Sequence, residues 1–352
     1  MNIVLKGLGT ATPPVELTQE ELFEFIMRNF TLTAQEEDMY KRILQGGKIK
    51  RRYIGIDFKD ERISFVPEEQ LARFLKYGCS TAVEAAQKAL DDAGLTVEAI
   101  RGLVVNTCTG YLCPGFSSYV AEVLGLSKNI RVMDLMGMGC GAAVPNLECA
   151  AGMVARSGSG PVLSIAVEIC SATLFPSHEP ELIVSNCIFG DGAAAAVIDS
   201  AHPNNGNGLA RVIDFESGLF PEYREQLRYK NKGGLLRNTL SKQVPIIGAR
   251  VISLVASRLL EQHGLRQDDI DWWAVHPGGT LVLSQISKKM ELDEEALRFS
   301  YDVFENYGNM SSPSVLFVLR KILDNGHPPA GSKGLLLSFG AGFSAFASLL
   351  EF

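Results

Sequence analysis

Residues 131–156 read RVMDLMGMGCGAAVPNLECAAGMVAR, and this stretch indicates the class of fold. The apolar run at 131–136 predicts a buried strand that ends in a glycine-rich turn, and small residues with helical spacing follow. Strand, tight turn and helix in this order are typical of an α/β protein. The same alternation continues on both sides, where the sequence predicts buried strands at 101–107 and 161–169 and a helix at 80–93 that Gly94 ends.

The second half of the chain repeats this alternation. Its sequence predicts two helices, each followed by a strand: helices at 246–263 and 313–325, strands at 271–275 and 334–338. Two segments also match each other, since Phe189-Gly190-Asp191-Gly192 and Phe339-Gly340-Ala341-Gly342 both precede small residues with strand character. These repeats indicate a duplicated α/β unit. We place its junction in the Pro- and Asn-rich stretch 201–208 and predict halves at 1–205 and 206–352.

The composition narrows the classes of function. The chain has 352 residues and a net charge of -7, which argues against nucleic acid as the main partner. No apolar run reaches the roughly 18 residues that a membrane-spanning helix needs, and the N-terminus lacks the pattern of a secretory signal. We therefore expect a cytoplasmic protein without a membrane span. One cationic stretch, residues 48–53, could face an anionic ligand or water.

The seven cysteines form no Cys-x-x-Cys pair, which argues against a zinc site, and we expect no metal. Each cysteine is then either packed or reactive. Cys140 lies in the glycine turn between a predicted strand and a predicted helix. The N-terminus of that helix would favour a thiolate and would supply N–H groups to an oxyanion. The alternative is a small buried cysteine that fills a tight turn.

Two further polar residues lie beside glycine-rich turns. His276 ends an apolar strand and precedes Pro277-Gly278-Gly279, at the strand edge where α/β proteins form their sites, although it could be a satisfied core histidine. Asn309 precedes the Ser-Ser-Pro start of a helix and could simply stabilise a turn. Cys, His and Asn together suit acyl-thioester chemistry, whether hydrolysis or condensation.

The sequence around these residues resembles that of the thiolase superfamily, and specifically that of the type III polyketide synthases, the relatives of chalcone and stilbene synthase. The resemblance covers nearly the whole chain and rests on blocks in the right order: Ile49-Lys50-Arg51-Arg52-Tyr53, Met138-Gly139-Cys140, Phe189-Gly190-Asp191-Gly192, Val275-His276-Pro277-Gly278-Gly279 and Tyr307-Gly308-Asn309-Met310-Ser311-Ser312. The last block discriminates best, because β-ketoacyl-ACP synthase III relatives typically carry Gly-Asn-Thr-Ser there.

The resemblance implies a thiolase fold of duplicated βαβαβαββ halves in a five-layer αβαβα arrangement, and a homodimer. It implies that Cys140 takes an acyl starter from acyl-CoA or from an acyl carrier protein. It further implies that His276 and Asn309 stabilise the enolate formed when malonyl-CoA loses carbon dioxide. The CoA thioesters are substrates, and no cofactor is expected.

The resemblance also assigns residues around these three. Phe189 corresponds to a gatekeeper aromatic between the CoA tunnel and the cavity, and Arg42 and Lys50 correspond to CoA-binding positions. The other positions expected to bind or shape the substrate are Asn238, Leu240, Cys108, Thr109, Cys113, Ser311, Phe339, Gly340 and Gly342. Several of them depart from the family, since Asn238 replaces a second gatekeeper Phe and Cys108-Thr109 replaces a Thr-Ser pair.

These departures favour a pyrone- or resorcinol-type product built on a fatty acyl starter. Two other interpretations stay open: a single-round β-ketoacyl synthase and a non-catalytic dimeric scaffold that binds acyl groups. A degradative thiolase is disfavoured, because that reaction usually needs a second active-site cysteine near the C-terminus and no cysteine follows Cys187.

Overall fold

The computed structural model describes residues 2–59, 61–157, 160–174, 178–201 and 208–352. Its strands are β1 (Ile3–Ala11), β2 (Val15–Thr18), β3 (Arg51–Ile54), β4 (Gly102–Asn106), β5 (Arg131–Leu135), β6 (Val162–Ile169), β7 (Asp191–Ser200), β8 (Ala210–Leu219), β9 (Leu227–Lys232), β10 (Leu235–Leu240), β11 (Trp272–Val275), β12 (Lys333–Gly340) and β13 (Ser344–Glu351). The predicted boundary between residues 205 and 206 lies outside the described residues.

Ten α-helices lie in the described ranges: α1 (Gln19–Asn29), α2 (Ala34–Gly46), α3 (Pro67–Ala93), α4 (Phe116–Leu124), α5 (Ala143–Ser157), α6 (Pro180–Ile188), α7 (Val244–Gln262), α8 (Thr280–Met290), α9 (Arg298–Tyr307) and α10 (Ser314–Lys321). None of the described helices is both long and apolar enough to cross a membrane.

Nine strands form one hydrogen-bonded sheet in the order β11-β12-β13-β8-β1-β7-β6-β4-β5. In the first half, β4 runs parallel to β5 and β6, and β7 runs antiparallel to β6 and β1. In the second half, β11 runs parallel to β12, and β13 runs antiparallel to β12 and β8. The two halves therefore repeat one topology, and they join where the start of β1 pairs with the start of β8.

Helices α5 and α10 each contact strands of both halves, so they form the central layer of the molecule. Their side chains share one apolar core with both parts of the sheet. Helix α3 covers the outer face of the first half, and α7 and α8 cover the outer face of the second. Helices and sheets thus alternate in five layers, which confirms the predicted thiolase-type fold. Cys140 precedes α5 and Asn309 precedes α10, so this central layer positions the site.

Two predictions about single elements were wrong. Helix α3 begins at Pro67 rather than at residue 80, since Phe74 and Tyr77 continue its buried stripe towards the N-terminus. It ends as predicted, with Gly94 in the left-handed conformation at φ 63°. Strand β5 is largely exposed rather than buried, because it is the edge strand of the sheet and pairs only with β4.

Candidate active site

Cys140 lies in a single 3-10 turn, Gly139–Gly141, between β5 and α5. The end of β12 presses against this turn. A Cβ atom at Gly340 would lie 2.0 Å from the Met138 carbonyl oxygen and 2.5 Å from the Gly141 nitrogen, so only glycine fits there. The thiol is nearly buried, with 9% of the residue exposed. The packing therefore holds the predicted nucleophile on a rigid turn at the entry to the central helix.

His276 follows β11 directly and is held by the neighbouring strand β12, because its N–H donates to the Leu337 carbonyl at 2.8 Å. Its ring is 1% exposed and meets the ring of Phe339 edge to face, with centroids 6.2 Å apart. Burial lowers the pKa of His276 to about 3. The imidazole is therefore neutral at physiological pH and has one N–H to donate.

Asn309 connects the histidine loop to the segment around Phe189. Its backbone N–H donates to the Ile188 carbonyl at 2.8 Å, and its carbonyl accepts from the Gly190 N–H at 3.0 Å. The side chain Nδ2 donates to the Gly278 carbonyl at 3.1 Å, and Oδ1 accepts from the Ser311 N–H at 2.8 Å. An amide nitrogen has two hydrogens, so one N–H of Asn309 remains to bind a ligand.

Cys140, His276 and Asn309 line one cavity of about 880 Å³. Three other predicted substrate residues, Phe189, Leu240 and Phe339, line the same cavity. Arg42 also lines it, together with Lys48 from the cationic stretch 48–53 and with Lys242, which the sequence pattern does not single out. All three cations are exposed at the mouth, where they can meet an anionic ligand. The structure thus brings the predicted triad and three exposed cations into one space.

Other predicted site residues lie elsewhere. Lys50 does not line the cavity, because its amine forms a salt bridge with Glu305 at 2.8 Å. Cys113 is exposed. Asn238 borders a small cavity of about 30 Å³ on the far side of Phe189. Cys108 and Gly342 line a cavity of about 420 Å³, and Thr109 lines one of about 510 Å³.

Ser311 and Cys108 lie directly behind the nucleophile. The Ser311 hydroxyl donates to the Cys140 sulfur at 3.4 Å and lies 3.4 Å from the Cys108 sulfur. Burial raises the pKa of the Cys140 thiol, and the hydrogen bond from Ser311 opposes that rise. No hydrogen bond between His276 and Cys140 occurs among the described residues. The His276 imidazole and the Cys140 sulfur are therefore not paired in this conformation.

Glu168 is a buried residue of this site that lies outside the sequence blocks on which the family resemblance rests. Its carboxylate accepts hydrogen bonds from the backbone of Cys108 and Thr109, at 3.0 Å and 3.1 Å, and from the Ser312 hydroxyl at 2.7 Å. It forms no salt bridge within the described part of the chain, and burial raises its pKa. Strand β6 is buried along its whole length, and Glu168 is its one charged residue. A single charge in such a strand is the sequence signal that could have revealed its role.

Tyr229 is a second residue that the sequence pattern does not identify. It borders the cavities of about 30, 420 and 510 Å³, so it separates the spaces behind the nucleophile. Its position comes from the β9–β10 hairpin, in which it pairs with Asn238. No local signal reveals such a role, because it depends on where a distant hairpin packs.

Comparison with known proteins assigns the family. The sequence matches the family model described as "Chalcone and stilbene synthases, N-terminal domain" over residues 2–203 and its C-terminal counterpart over residues 218–351. The chain therefore belongs to the chalcone and stilbene synthase family, the type III polyketide synthases, which are enzymes of the ketosynthase and acyltransferase kind. This confirms the resemblance drawn from the sequence blocks.

The individual relatives have low sequence identity to this chain, but they align with nearly all of it. The 3,5-dihydroxyphenylacetyl-CoA synthase of Streptomyces toyocaensis is 29% identical over 354 residues, which cover 98% of this chain and 89% of that protein. The alpha-pyrone synthesis polyketide synthase-like Pks18 of Mycobacterium tuberculosis is 28% identical and covers 99% and 91%. The crystal structure of 1,3,6,8-tetrahydroxynaphthalene synthase from Streptomyces coelicolor has a TM-score of 0.90 at 28% identity, with 99% of each chain covered.

Proposed function

We propose that this enzyme catalyses decarboxylative Claisen condensation of an acyl starter with malonyl-CoA and extends the chain over several rounds. The observation that carries this proposal is the shared cavity, in which a thiol, a neutral imidazole and an amide N–H face one space. Two hydrogen-bond donors, the His276 imidazole and the Asn309 amide, face this cavity and suit the oxygen of an enolate.

The reaction begins when the Cys140 sulfur attacks the acyl thioester. A new carbon–sulfur bond forms, the bond to CoA breaks, and CoA leaves as its thiol with the proton of Cys140. The cavity that Cys140, His276 and Asn309 share then receives malonyl-CoA. Loss of its carboxylate as carbon dioxide leaves an enolate, whose oxygen accepts hydrogen bonds from His276 and Asn309. The enolate carbon attacks the acyl group on Cys140 and releases the cysteine thiolate.

The mouth of the cavity suits a CoA donor. Arg42, Lys48 and Lys242 are exposed cations on its rim, and the CoA nucleotide carries phosphates. An acyl carrier protein, which presents a single phosphate on its pantetheine arm, is the competing donor. Replacing each of the three cations by Gln should raise the KM for malonyl-CoA. An unchanged KM in all three variants would favour the carrier protein.

We propose a fatty acyl starter and a pyrone- or resorcinol-type product as the finer assignment. Its support is the apolar wall of the main cavity, which includes Ile188, Leu240, Val282 and Phe339. Among the relatives, Pks18 is named for alpha-pyrone synthesis. A short polar starter is the second candidate, because Arg224, Arg228 and Tyr229 line the cavity of about 420 Å³ behind Cys108.

Product mass separates these candidates and the remaining alternatives. The protein is incubated with acyl-CoA starters of increasing length and with 13C-labelled malonyl-CoA. A long-chain product with two or more labelled units supports the finer assignment, whereas products from short polar starters alone support the second candidate. A product with one added unit indicates a single-round β-ketoacyl synthase, and no product with any starter indicates an acyl-binding scaffold.

We also propose that the protein is a homodimer. The edge strand β5 leaves Val132 and Met133 47% and 41% exposed, and such an open apolar edge favours pairing with another chain. Light scattering coupled to gel filtration tests this, together with the variant Val132→Lys. A monomeric wild-type protein would contradict the proposal.

A further inference from the structure

Arg52 is a charged side chain in the interior of the protein, with 0% of the residue exposed. A buried guanidinium is costly unless its N–H groups are paired. Its two terminal nitrogens donate to the carbonyls of Phe189, at 2.9 Å, and Cys187, and to the Gln19 side chain. No salt bridge joins Arg52 to a carboxylate among the described residues. Two of its three partners are therefore backbone carbonyls at the end of α6.

The carbonyls at the end of a helix lack partners in the helix and carry partial negative charge. The Arg52 cation is thus placed where it stabilises the end of α6 and fixes the backbone of Phe189. Arginine suits this role because its planar fork reaches two carbonyls at once, which a lysine amine does not reproduce.

Residues 188–190, the segment that Arg52 binds, also bind the backbone of Asn309. The Ile188 carbonyl and the Gly190 N–H bond to the Asn309 backbone on one side, while Arg52 bonds to Phe189 on the other. The packing leaves no room at Gly190, where a Cβ atom would lie 2.4 Å from the Tyr307 carbonyl oxygen and 3.4 Å from the Arg52 Cβ. Arg52, residues 188–190 and Asn309 therefore form one packed unit, which we call the gate clamp.

Given the condensation proposed above, we propose that Arg52 is a positioning residue: through the gate clamp it fixes the positions of Phe189 and Asn309 in the cavity that they share with Cys140, without touching the substrate. Acyl loading depends on the Cys140 turn, which packs directly against Gly340, whereas the clamp residue Asn309 is linked to Cys140 through Ser311. Decarboxylation depends on the Asn309 amide. Substitution of Arg52 should therefore impair decarboxylation and leave loading largely intact.

The test compares Arg52→Gln and Arg52→Lys with the matched control Arg51→Gln. Arg51 is the adjacent residue of the same strand, but it is exposed and contacts Glu16 and Asn306. Loading is followed by intact-protein mass spectrometry, and carbon dioxide release from malonyl-CoA gives kcat and KM. Each rate is corrected for the folded fraction from thermal melts.

We expect Arg52→Gln to lower kcat for carbon dioxide release by about tenfold to a hundredfold, the effect of misplacing a group by about 1 Å. Loading should change little, Arg51→Gln should match the wild type, and Arg52→Lys should fall between. If Arg52→Gln does not fold, Arg52→Lys gives the same comparison.

Equal proportional losses of loading and release would overturn the proposal, because they indicate a purely structural role. The proposal would also be overturned if folded Arg52 variants released carbon dioxide as fast as Arg51→Gln does. A wild-type protein that neither loads nor decarboxylates would overturn the proposed function as well. A wild type that does both leaves the Arg52 comparison to decide this inference alone.

Discussion

The hydroxyl of Ser311 donates a hydrogen bond to the sulfur of Cys140, with oxygen and sulfur 3.4 Å apart. Ser311 has a φ of 60°, in the left-handed region that residues with a side chain seldom adopt. Its backbone N–H bonds to the Asn309 side chain at 2.8 Å. One residue in an unusual conformation thus connects the nucleophile to a group that we assign to decarboxylation.

Ser311→Ala should shift the reactivity of Cys140 to higher pH. The hydrogen bond from Ser311 lowers the pKa of the thiol, so its loss raises that pKa. The pH profile of iodoacetamide alkylation at Cys140, read by mass spectrometry, measures the shift against the wild type. Superimposable profiles would show that the hydroxyl does not stabilise the thiolate. Ser118→Ala, at an exposed serine, is the control.

His276→Ala and Asn309→Ala should still accept an acyl group but should release carbon dioxide from malonyl-CoA slowly. Removing one donor to a developing oxyanion typically lowers kcat by about 10²- to 10³-fold. Asn306→Ala is the matched control for Asn309, because the Asn306 side chain bonds within α9 to Asp302. Carbon dioxide release at the wild-type rate from either variant would refute its assigned role.

Gly340→Ala should destabilise the protein and lower the loading rate. The added Cβ would overlap the backbone of the Cys140 turn, and such overpacking typically costs about 1–3 kcal/mol. Gly152→Ala offers a control in α5, since the added Cβ would have no atom within 4 Å other than those of its chain neighbours and of the adjacent backbone of its own helix. We expect this second variant to gain up to about 1 kcal/mol from helix propensity. Thermal melts that showed the opposite order would contradict the packing of β12 against the turn.

Asp191→Asn should change the stability of the protein in a way that depends on pH. Burial raises the pKa of Asp191 from 3.8 to about 6 in the folded state, so the folded protein binds this proton more tightly than the unfolded chain. The proton therefore stabilises the wild type fully below pH 3.8, and this contribution is lost as the pH rises to about 6. It amounts to on the order of 3 kcal/mol.

The free energy of unfolding, measured with denaturant at pH 4, 5, 6 and 7, tests this. The free energy of unfolding of the wild type minus that of Asp191→Asn should fall from pH 4 to pH 6, because only the wild type loses the stabilising proton. A value that stays constant or rises over that range would show that folding does not raise the pKa of Asp191.

Local sequence signals predicted the parts of this site that depend on one turn at a time. Cys140, His276 and Asn309 each stand beside glycines at the end or start of a regular element, and the structure places all three on one cavity. The exposure of β5 was missed because an edge strand and a central strand differ in their neighbours rather than in their own residues. The roles of Glu168 and Arg52 were missed for a similar reason, because these residues form hydrogen bonds with partners up to 144 and 137 residues away along the chain.

We predict that Cys140 carries the acyl group during condensation. Intact-protein mass spectrometry after exposure to an acyl-CoA tests it on the wild type, on Cys140→Ala and on Cys149→Ala, Cys170→Ala and Cys187→Ala. We expect one added acyl group on every protein except Cys140→Ala, and loss of that group into product when malonyl-CoA is added. Acyl loading of the Cys140→Ala protein would contradict it.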